Sequence, residues 1–392
     1  MMVDWLILVP LLIGHLAVFV LCLNLLHSTN VPEKLLNILS LALLMATLAA
    51  LPFLITLRPW TAWPAAPRAY AQLCLGIALV GLPIVTLLRA FRRTPGGVAT
   101  RGEEIDLAAE LGPDRVIGEG RHGWLLRLPG NRSFRIRRVQ CDLILTGLPP
   151  ALDGLNIVQV TDLHFSHCFR REFFEAVADV AAGWDADLVA FTGDLLDDPD
   201  TMDWVEPVLG RLRGRLGQFA ILGNHDHRLR PGRARRTLQK AGFEDLEGRW
   251  ICLESDGATL ALGGTSEPWG PRLDYDAMPE ADFRLLLSHS PDQFPRAAPR
   301  GVDLVLSGHN HGGQIRLPVL GPILMPSRYG RHFDRGFFRA GPSLLYVSQG
   351  VAGKHPIRYG CSPEVTRFTL RASPASRAAT AHERIRVGLV RG

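Results

Sequence analysis

The sequence predicts an α/β fold with buried sheets that follows a bundle of three membrane-spanning helices. Two observations predict this architecture. Three long apolar runs with few charged residues follow one another within the first ninety residues. From Gly154 onward, short continuous apolar segments alternate with helix-like stretches, which is typical of parallel sheets covered on both faces. With 392 residues and 47% hydrophobic content, the chain is long and apolar enough for about two domains.

The apolar runs are Trp5–Leu26, Leu35–Leu57 and Tyr70–Leu88. Each is close to the roughly 20 residues that a helix needs to cross a bilayer. A cleaved signal peptide in the first run and buried helices of a soluble domain are the two alternatives. The first run has no basic leading region, and two further runs follow it. We therefore expect a membrane domain of three transmembrane helices over residues 1–93.

Basic residues near the ends of these runs predict the orientation. One side of the membrane would carry five of them, and the other side only Arg58 and Arg68. Because Lys and Arg are enriched in cytoplasmic loops, we expect the large C-terminal part in the cytoplasm and the N-terminus outside. The five residues are Lys34, Arg89, Arg92, Arg93 and Arg101.

The rest of the chain divides into three parts. Residues 94–144 open with a turn-rich linker and predict a small connecting subdomain or edge hairpin. Residues 145–370 form the α/β domain, and the polar tail 371–392 is expected to be disordered. The predicted strands are Leu155–Val160, Asp187–Thr192, Gln218–Leu222, Phe283–Ser288, Val302–Ser307 and Leu344–Ser348, with a helix over Arg170–Gly183.

Five of these strands run directly into side chains that bind metal ions. In strand order they are Asp162 with His164, Asp194, Asn224 with His225, His289, and His309 with His311. Open α/β sheets bind ligands at the carboxyl ends of their strands, so we expect these residues to converge. At an extended strand end, residues i and i+2 point to the same side, which would let Asp162 and His164 reach one ion.

The composition of this set indicates its chemistry. Oxygen and imidazole ligands without a thiolate suit Mn²⁺, Fe or Zn²⁺, and their number suits two ions about 3.5–4 Å apart. Asp194, at a tight turn behind Gly193, is the natural bridging ligand. The six cysteines form no C-x-x-C motif, which argues against a cysteine zinc site. With 43 basic and 38 acidic residues, the charge is too balanced for a dedicated nucleic-acid binder, and no nucleic-acid partner is expected.

The ordered set D-x-H, G-D, G-N-H-D, H and G-H-x-H resembles the calcineurin-like metallophosphoesterase superfamily over Leu145–Leu370. The surroundings of His289 and the segment Gly308–Gln314 are similar to its bacterial membrane-associated subgroup. That subgroup includes enzymes that hydrolyse the pyrophosphate of UDP-2,3-diacylglucosamine in lipid A synthesis. The resemblance implies a four-layer α/β/β/α sandwich, a site for two divalent ions and a multi-pass protein of the bacterial inner membrane. Mn²⁺ is the first choice of metal, with Fe or Zn²⁺ as alternatives.

The resemblance also assigns roles to residues. It implies that Asp162, His164, Asp194 and His311 hold the first ion, and that Asp194, Asn224, His289 and His309 hold the second. His225 would be the catalytic histidine that binds no metal. Its other ring nitrogen needs a carboxylate partner, for which we favour Asp197 over Asp226. The segment Gly263–Trp269 departs from relatives, since it lacks the aspartate expected after the glycine.

The predicted function is that of a membrane-anchored dinuclear-metal phosphoesterase acting on a phosphodiester or pyrophosphate bond. A lipid-linked substrate such as UDP-2,3-diacylglucosamine is favoured, because three transmembrane helices would hold the enzyme at the bilayer. A soluble nucleotide or a phosphoprotein is the alternative substrate. A membrane-tethered binding module without turnover is the alternative outside the enzymes. The basic run Arg228–Arg236 would bind an anionic head group or form a solvated helix face.

Overall fold

The computed structural model of the protein describes residues 2–56, 63–318 and 320–373. The described chain forms two compact units. The first contains the residues up to Arg93 together with Arg316–His332, and the second contains Thr94–Ile315 and the chain from Phe333 onward. Residues 145–370 were expected to form the α/β domain, and the compact units divide this range, because Arg316–His332 belongs to the first unit. Arg58 and residues 374–392 of the predicted tail lie outside the described residues.

The first unit is helical. Its helices are α1 Met2–His27, α2 Glu33–Thr56, α3 Ala65–Gly76 and α4 Leu82–Ala90, and the π-helical turn Ile77–Gly81 joins α3 to α4. Three helical stretches are long and apolar enough to cross a membrane: Trp5–His27, Glu33–Ile55 and Ala65–Ala90. This confirms the three predicted helices. The third begins five residues before the apolar run at Tyr70, because Ala65–Ala66 and Arg68 extend it with residues of good helix propensity.

Two contacts tie the helices of this unit together. The ring of His15 on α1 lies 2.5 Å from the Tyr70 hydroxyl on α3 and 3.0 Å from the carbonyl oxygen of Thr47 on α2. At Gly14, an added Cβ would lie 1.9 Å from the carbonyl oxygen of Cys74. Only glycine allows α1 and α3 to approach this closely, which is the way that small residues join helices in membranes.

The second unit contains a sheet of seven strands. These are β1 Val98–Asp106, β2 Arg135–Leu145, β3 Asn156–Val160, β4 Ala186–Thr192, β5 Gly214–Ile221, β6 Phe243–Asp245 and β15 Glu364–Ala372, in the order β1-β2-β15-β3-β4-β5-β6. Strands β3 to β6 are parallel. The segment 94–144 thus contributes an antiparallel pair to the edge of this sheet. Strand β15 extends two residues into the predicted tail.

A second sheet of six strands belongs to the same unit. Its strands are β7 Trp250–Ser255, β8 Ala258–Thr265, β9 Phe283–Ser288, β10 Leu304–Ser307, β13 Gly336–Ala340 and β14 Ser343–Val347, in the order β13-β14-β10-β9-β8-β7. Strands β8, β9, β10 and β14 are parallel. The remaining strands, β11 Arg316–Leu317 and β12 Gly321–Pro322, form a small hairpin in the first unit.

Apolar residues define four layers in the second unit. Phe219 and Leu285 belong to a core shared by the two sheets. Phe173 and Phe174 of a helix pack on the outer face of the first sheet, and Phe294 packs on that of the second. The helices of this unit are α5 Leu107–Leu111, α6 Pro113–Val116, α7 Arg171–Ala182, α8 Val205–Leu209, α9 Asn224–Arg228, α10 Pro231–Lys240 and α11 Phe294–Ala297. The predicted α/β/β/α sandwich is confirmed.

The topology positions polar loops at one edge. Strands β3, β4 and β5 end at Val160, Thr192 and Ile221, and because they are parallel their following loops lie at the same end of the first sheet. Strands β9 and β10 end together at Ser288 and Ser307 in the second sheet. All five loops carry the predicted metal ligands.

Candidate metal centre

The structure brings the seven predicted metal ligands together in two groups that share Asp194. One group contains side-chain ligand atoms of Asp162, His164, Asp194 and His311, and the other those of Asp194, His289 and His309. Within each group the ligand atoms lie within 4.8 Å of one another. Asn224 joins the second group, since its Oδ1 lies 3.0 Å from Nε2 of His289. Each group lies within one of the two predicted ligand sets.

Asp194 has the geometry of a bridging ligand. Its Oδ2 lies 3.3 Å from Nε2 of His164 and 3.4 Å from Nε2 of His289. Its Oδ1 accepts a hydrogen bond of 2.9 Å from the backbone amide of His225, which fixes the carboxylate plane. Burial raises the pKa of Asp194, but the imidazoles of His289, His225 and His164 outweigh burial and hold this pKa well below its usual range. Asp194 is therefore a carboxylate between two histidines.

The backbone at the ligands differs from the expected extended strand end. Five of the predicted ligands have a positive φ, which is uncommon for residues other than glycine. Asp162 and His164 have φ values of 55° and 44°, so their side chains converge through a left-handed turn and not through strand alternation. Such strained positions cluster at functional sites. The other three are Asp194, His309 and His311.

The hydrogen bonds of the histidine rings test whether this site suits metal ions. Nδ1 of His289 lies 2.8 Å from the carbonyl oxygen of Thr192, and Nδ1 of His311 lies 3.0 Å from that of Ala352. A carbonyl oxygen only accepts hydrogen bonds, so both rings carry their proton on Nδ1. In the neutral ring, the form that binds a metal ion, Nε2 presents a lone pair to the centre. Buried lone pairs that face carboxylates fit a bound cation.

His164 also carries a proton on Nδ1, because Nδ1 faces an acceptor. Its Nδ1 lies 3.1 Å from Oδ2 of Asp197, while its Nε2 lies 3.2 Å from Nε2 of His311. The carboxylate accepts a hydrogen bond from Nδ1, so when both rings are neutral the lone pairs of the two Nε2 atoms face one another at van der Waals distance. A divalent cation between them removes this repulsion, so the residues present fit a metal ion.

Asp197 also contacts His225, the predicted catalytic histidine. Its Oδ1 lies 2.5 Å from Nδ1 of His225. Burial raises the pKa of Asp197, but His164 and His225 outweigh burial and hold this pKa well below its usual range. Asp197 is thus an anion that accepts a hydrogen bond from each ring, and it leaves Nε2 of His225 available for other partners.

Comparison with known proteins identifies the family. The family model described as calcineurin-like phosphoesterase matches residues 155–313. The uncharacterized metallophosphoesterase YkuE of Bacillus subtilis is 34% identical over 236 residues, which cover 58% of this chain and 82% of YkuE. The chain belongs to the calcineurin-like phosphoesterase family. It is a hydrolase, and the resemblance seen in the motifs is confirmed.

Two other relatives of this phosphoesterase have named activities. The phosphodiesterase YaeI of Escherichia coli is 29% identical over 220 residues, covering 55% of this chain and 81% of YaeI. The UDP-2,3-diacylglucosamine pyrophosphatase LpxG of Chlamydia trachomatis is 27% identical over 276 residues, covering 55% of this chain and 83% of LpxG.

The alternative partner of His225, Asp226, has a structural role in the phosphoesterase. Its buried carboxylate accepts hydrogen bonds from the backbone amides of Leu195, Leu196 and Gly223, at 2.9–3.1 Å. Burial and the nearby Asp194 raise the pKa of Asp226 to about 6. Asp226 therefore holds together the loops that follow β4 and β5, on which Asp194 and Asn224 lie.

A buried tryptophan that the sequence did not predict lies beside the phosphoesterase site. The buried indole of Trp269 lies 4.8 Å from the ring of His309 and 5.8 Å from that of His289, measured between centroids. Trp269 ends the segment whose departure from relatives was noted above. No motif marks it, because the contact depends on how the loop after β8 folds back.

A buried arginine that the sequence did not predict lies behind the predicted metal ligand His311. Arg358 donates hydrogen bonds of 2.6 Å to the carbonyl oxygens of Gln349 and Ala352, and one of 3.3 Å to that of His311. Ala352 is the residue whose carbonyl orients the His311 ring. A guanidinium with several donors can hold three carbonyls at once, and this ties the loop that precedes β15 to the His311 loop.

Proposed function

We propose that the protein is a membrane-anchored phosphoesterase that uses two divalent cations, with Mn²⁺ the first choice, to hydrolyse a phosphodiester or pyrophosphate bond in a lipid-linked substrate. UDP-2,3-diacylglucosamine is the leading specific candidate. The catalytic domain would face the cytoplasm from the inner membrane. The observation that carries the proposal is the carboxylate of Asp194, whose Oδ2 lies between Nε2 of His164 and Nε2 of His289.

The proposed ligands form two sets, one for each cation, and share Asp194. Asp162, His164, Asp194 and His311 would hold one cation, and Asp194, Asn224, His289 and His309 the other. Two cations in such a site supply a water of lowered pKa and neutralise charge on the phosphoryl oxygens. The protein's own contribution is to orient the ligands His289, His164 and His311 through Thr192, Asp197 and Ala352, each of which accepts a hydrogen bond from Nδ1 of one of these rings.

His225 is the proposed general acid. Asp197 is an anion that accepts a hydrogen bond from Nδ1 of His225 and so fixes the orientation of the ring. Nε2 of His225 can then hold a proton and donate it to the leaving oxygen as the phosphorus–oxygen bond breaks. Asp197 acts through His225 and through His164, so we propose it as a positioning residue.

The membrane helices and one relative support the substrate class. Three helices of this chain are long and apolar enough to span a membrane, and LpxG, which is 27% identical, is named for a lipid-bearing sugar nucleotide. Lys34, Arg89, Arg92 and Arg93 lie at one end of the helices, which supports a cytoplasmic catalytic domain.

The first test is metal-dependent hydrolysis. The purified full chain in detergent should hydrolyse bis-p-nitrophenyl phosphate with Mn²⁺, lose the activity on chelation and regain it when Mn²⁺ returns. The Asp194→Ala variant should neither bind two metal ions nor turn over. Undiminished hydrolysis by metal-loaded Asp194→Ala would contradict the assigned centre.

The second test identifies the substrate. Lipid extraction and mass spectrometry after depletion of the protein should reveal an accumulating lipid-linked phosphodiester or pyrophosphate. The purified enzyme should then hydrolyse that compound in vesicles. Faster hydrolysis of a soluble nucleotide or of a phosphopeptide, with no lipid accumulating on depletion, would replace the lipid-linked class with that alternative.

A further inference from the structure

The segment Arg316–His332 follows the metal-ligand loop closely, since it begins three residues after Gly313. It nevertheless belongs to the compact unit of the membrane helices. The segment contains three arginines and no acidic residue. It also opens with the short hairpin of β11 and β12. A charged and apolar segment with membrane helices as its neighbours has features of a lipid-facing element.

Two hydrogen bonds fix this segment on the helices. The backbone amide of Met325 donates to Oδ1 of Asn24 over 3.0 Å, and Met325 and Asn24 are both buried. The guanidinium of Arg89 donates to the carbonyl oxygen of Leu320. Asn24 lies three residues before the end of α1 at His27, about 4.5 Å along the helix axis. Arg89 lies one residue before the end of α4.

These anchor points set the depth of the segment. The ends of α1 and α4 are the ends of two candidate membrane spans, Trp5–His27 and Ala65–Ala90. A backbone amide that reaches Asn24 therefore lies about one helical turn inside the span. At that depth the segment meets the boundary between head groups and acyl chains.

The exposed side chains of the segment match that boundary. Leu317, Leu320, Leu324 and Tyr329 are all more than two-fifths exposed. Four large, predominantly apolar side chains left exposed within one short segment are unusual for the surface of a soluble protein. The same segment carries Arg316, Arg328 and Arg331, whose charge complements anionic lipid phosphates.

We propose that Arg316–His332 is a bilayer-seated loop, with Leu317, Leu320 and Leu324 among lipid acyl chains and its arginines at lipid phosphates. The partner of this surface is the bilayer itself. Only Gln314 and Ile315 separate this loop from Gly313, the end of the segment that carries His309 and His311. The inference deepens the proposed function and rests on it for the substrate, since a bilayer-resident amphiphile becomes the preferred substrate.

The first experiment measures the depth of the loop directly. The full chain, with the two exposed cysteines Cys22 and Cys252 replaced by serine, is labelled with a nitroxide at Leu324→Cys and reconstituted in nanodiscs with anionic lipid. The matched control is a label at Ile144→Cys on β2, since the two native side chains are 47% and 46% exposed.

Molecular oxygen should collide with the label at position 324 more often than the water-soluble nickel chelate NiEDDA does, and position 144 should show the opposite order. Equal access of the nickel chelate at both positions would overturn the proposal. Exclusion of both reagents at position 324 would also overturn it, because the surface would then be covered by protein. This measurement requires no enzymatic activity, so its result does not depend on the proposed function.

The second experiment compares two substrates. In the triple variant Leu317→Ser, Leu320→Ser and Leu324→Ser, the ratio of the rate on a vesicle-borne phosphodiester lipid to the rate on bis-p-nitrophenyl phosphate should fall roughly tenfold, because less apolar surface enters the bilayer. The single variant Ile144→Ser should leave this ratio unchanged. An unchanged ratio in the triple variant would overturn the loop's role. No hydrolysis of any lipid by the parent enzyme would instead reject the proposed substrate class while leaving the depth result intact.

Discussion

Oδ1 of Asp197 lies 2.5 Å from Nδ1 of His225. The other oxygen of the same carboxylate accepts a hydrogen bond from Nδ1 of His164, at 3.1 Å. One anion therefore sets the tautomer of a proposed metal ligand and of the proposed general acid. In many enzymes, a carboxylate that accepts a hydrogen bond from the far nitrogen of a histidine ring sets the orientation and the basicity of that ring. The two rings lie 4.6 Å apart between centroids. Because Asp197 contacts both rings, a substitution at Asp197 should change the orientation of both.

Replacing His225 tests the general acid alone. The His225→Ala variant keeps every proposed metal ligand, so it should bind two metal ions per chain, as measured by elemental analysis. Its turnover of bis-p-nitrophenyl phosphate should fall about 10²–10⁴-fold, the usual share of a positioned proton donor. Near-normal turnover with full metal content would remove His225 from the mechanism.

Replacing Asp197 tests the shared contact. Asp197→Asn keeps the shape but loses the negative charge and one acceptor oxygen. We expect metal affinity and turnover to fall about 10–100-fold, because His164 loses its orienting partner. In the His225→Ala background, the same substitution should still weaken metal binding but cost less turnover than it does in the parent, since its effect through His225 has gone. Fully additive losses in turnover would show that Asp197 acts independently of His225.

Gly223 tests how closely the backbone must approach the bridging carboxylate. An added Cβ at Gly223 would lie 2.1 Å from Oδ1 of Asp194, although the φ of Gly223 is an ordinary −110°. Gly223→Ala must therefore displace Asp194, and turnover should fall about 100-fold with loss of bound metal. Gly96→Ala is the control, because nothing lies within 4 Å of its added Cβ. Equal rates in the two variants would show that Asp194 can shift without consequence.

The strands and the ligands were predictable because each depends on local sequence. Phe283–Ser288 matches β9 at both ends, and Asp187–Thr192 differs from β4 by one residue, since buried parallel strands are continuous apolar runs. The convergence of the ligands followed from the topology rule for parallel sheets. The left-handed turns at Asp162 and His164 did not follow, because positive φ at these residues depends on tertiary contacts.

The remaining features depend on contacts between residues that are far apart in the sequence. Arg316–His332 was assigned to the α/β domain by its position in the chain. Its partners Asn24 and Arg89 are more than 200 residues away, and a single sequence carries no signal for that pairing. The same reason applies to Trp269 on His309, and to Arg358, which contacts three carbonyls that any residue type would present.

Arg358 offers a test of stability that is separate from catalysis. The Arg358→Met variant fills similar space but leaves the carbonyls of His311, Gln349 and Ala352 without their donor. Each buried acceptor that loses its partner costs free energy, and we expect a total loss of about 2–4 kcal/mol. The thermal unfolding midpoint of the purified protein in detergent should fall by roughly 5–10 °C.

The control for Arg358 is Arg101→Met, since the side chain of Arg101 is 83% exposed and its only ion pair is with Asp142 at 3.5 Å among the described residues. Its midpoint should stay within about 1 °C of the parent, because exposed ion pairs contribute little. The Arg358→Met variant should also need more Mn²⁺ for half-maximal activity, because Ala352 positions the ring of His311. An unchanged midpoint together with an unchanged Mn²⁺ requirement would show that water replaces the guanidinium, and that the loop preceding β15 holds His311 without it.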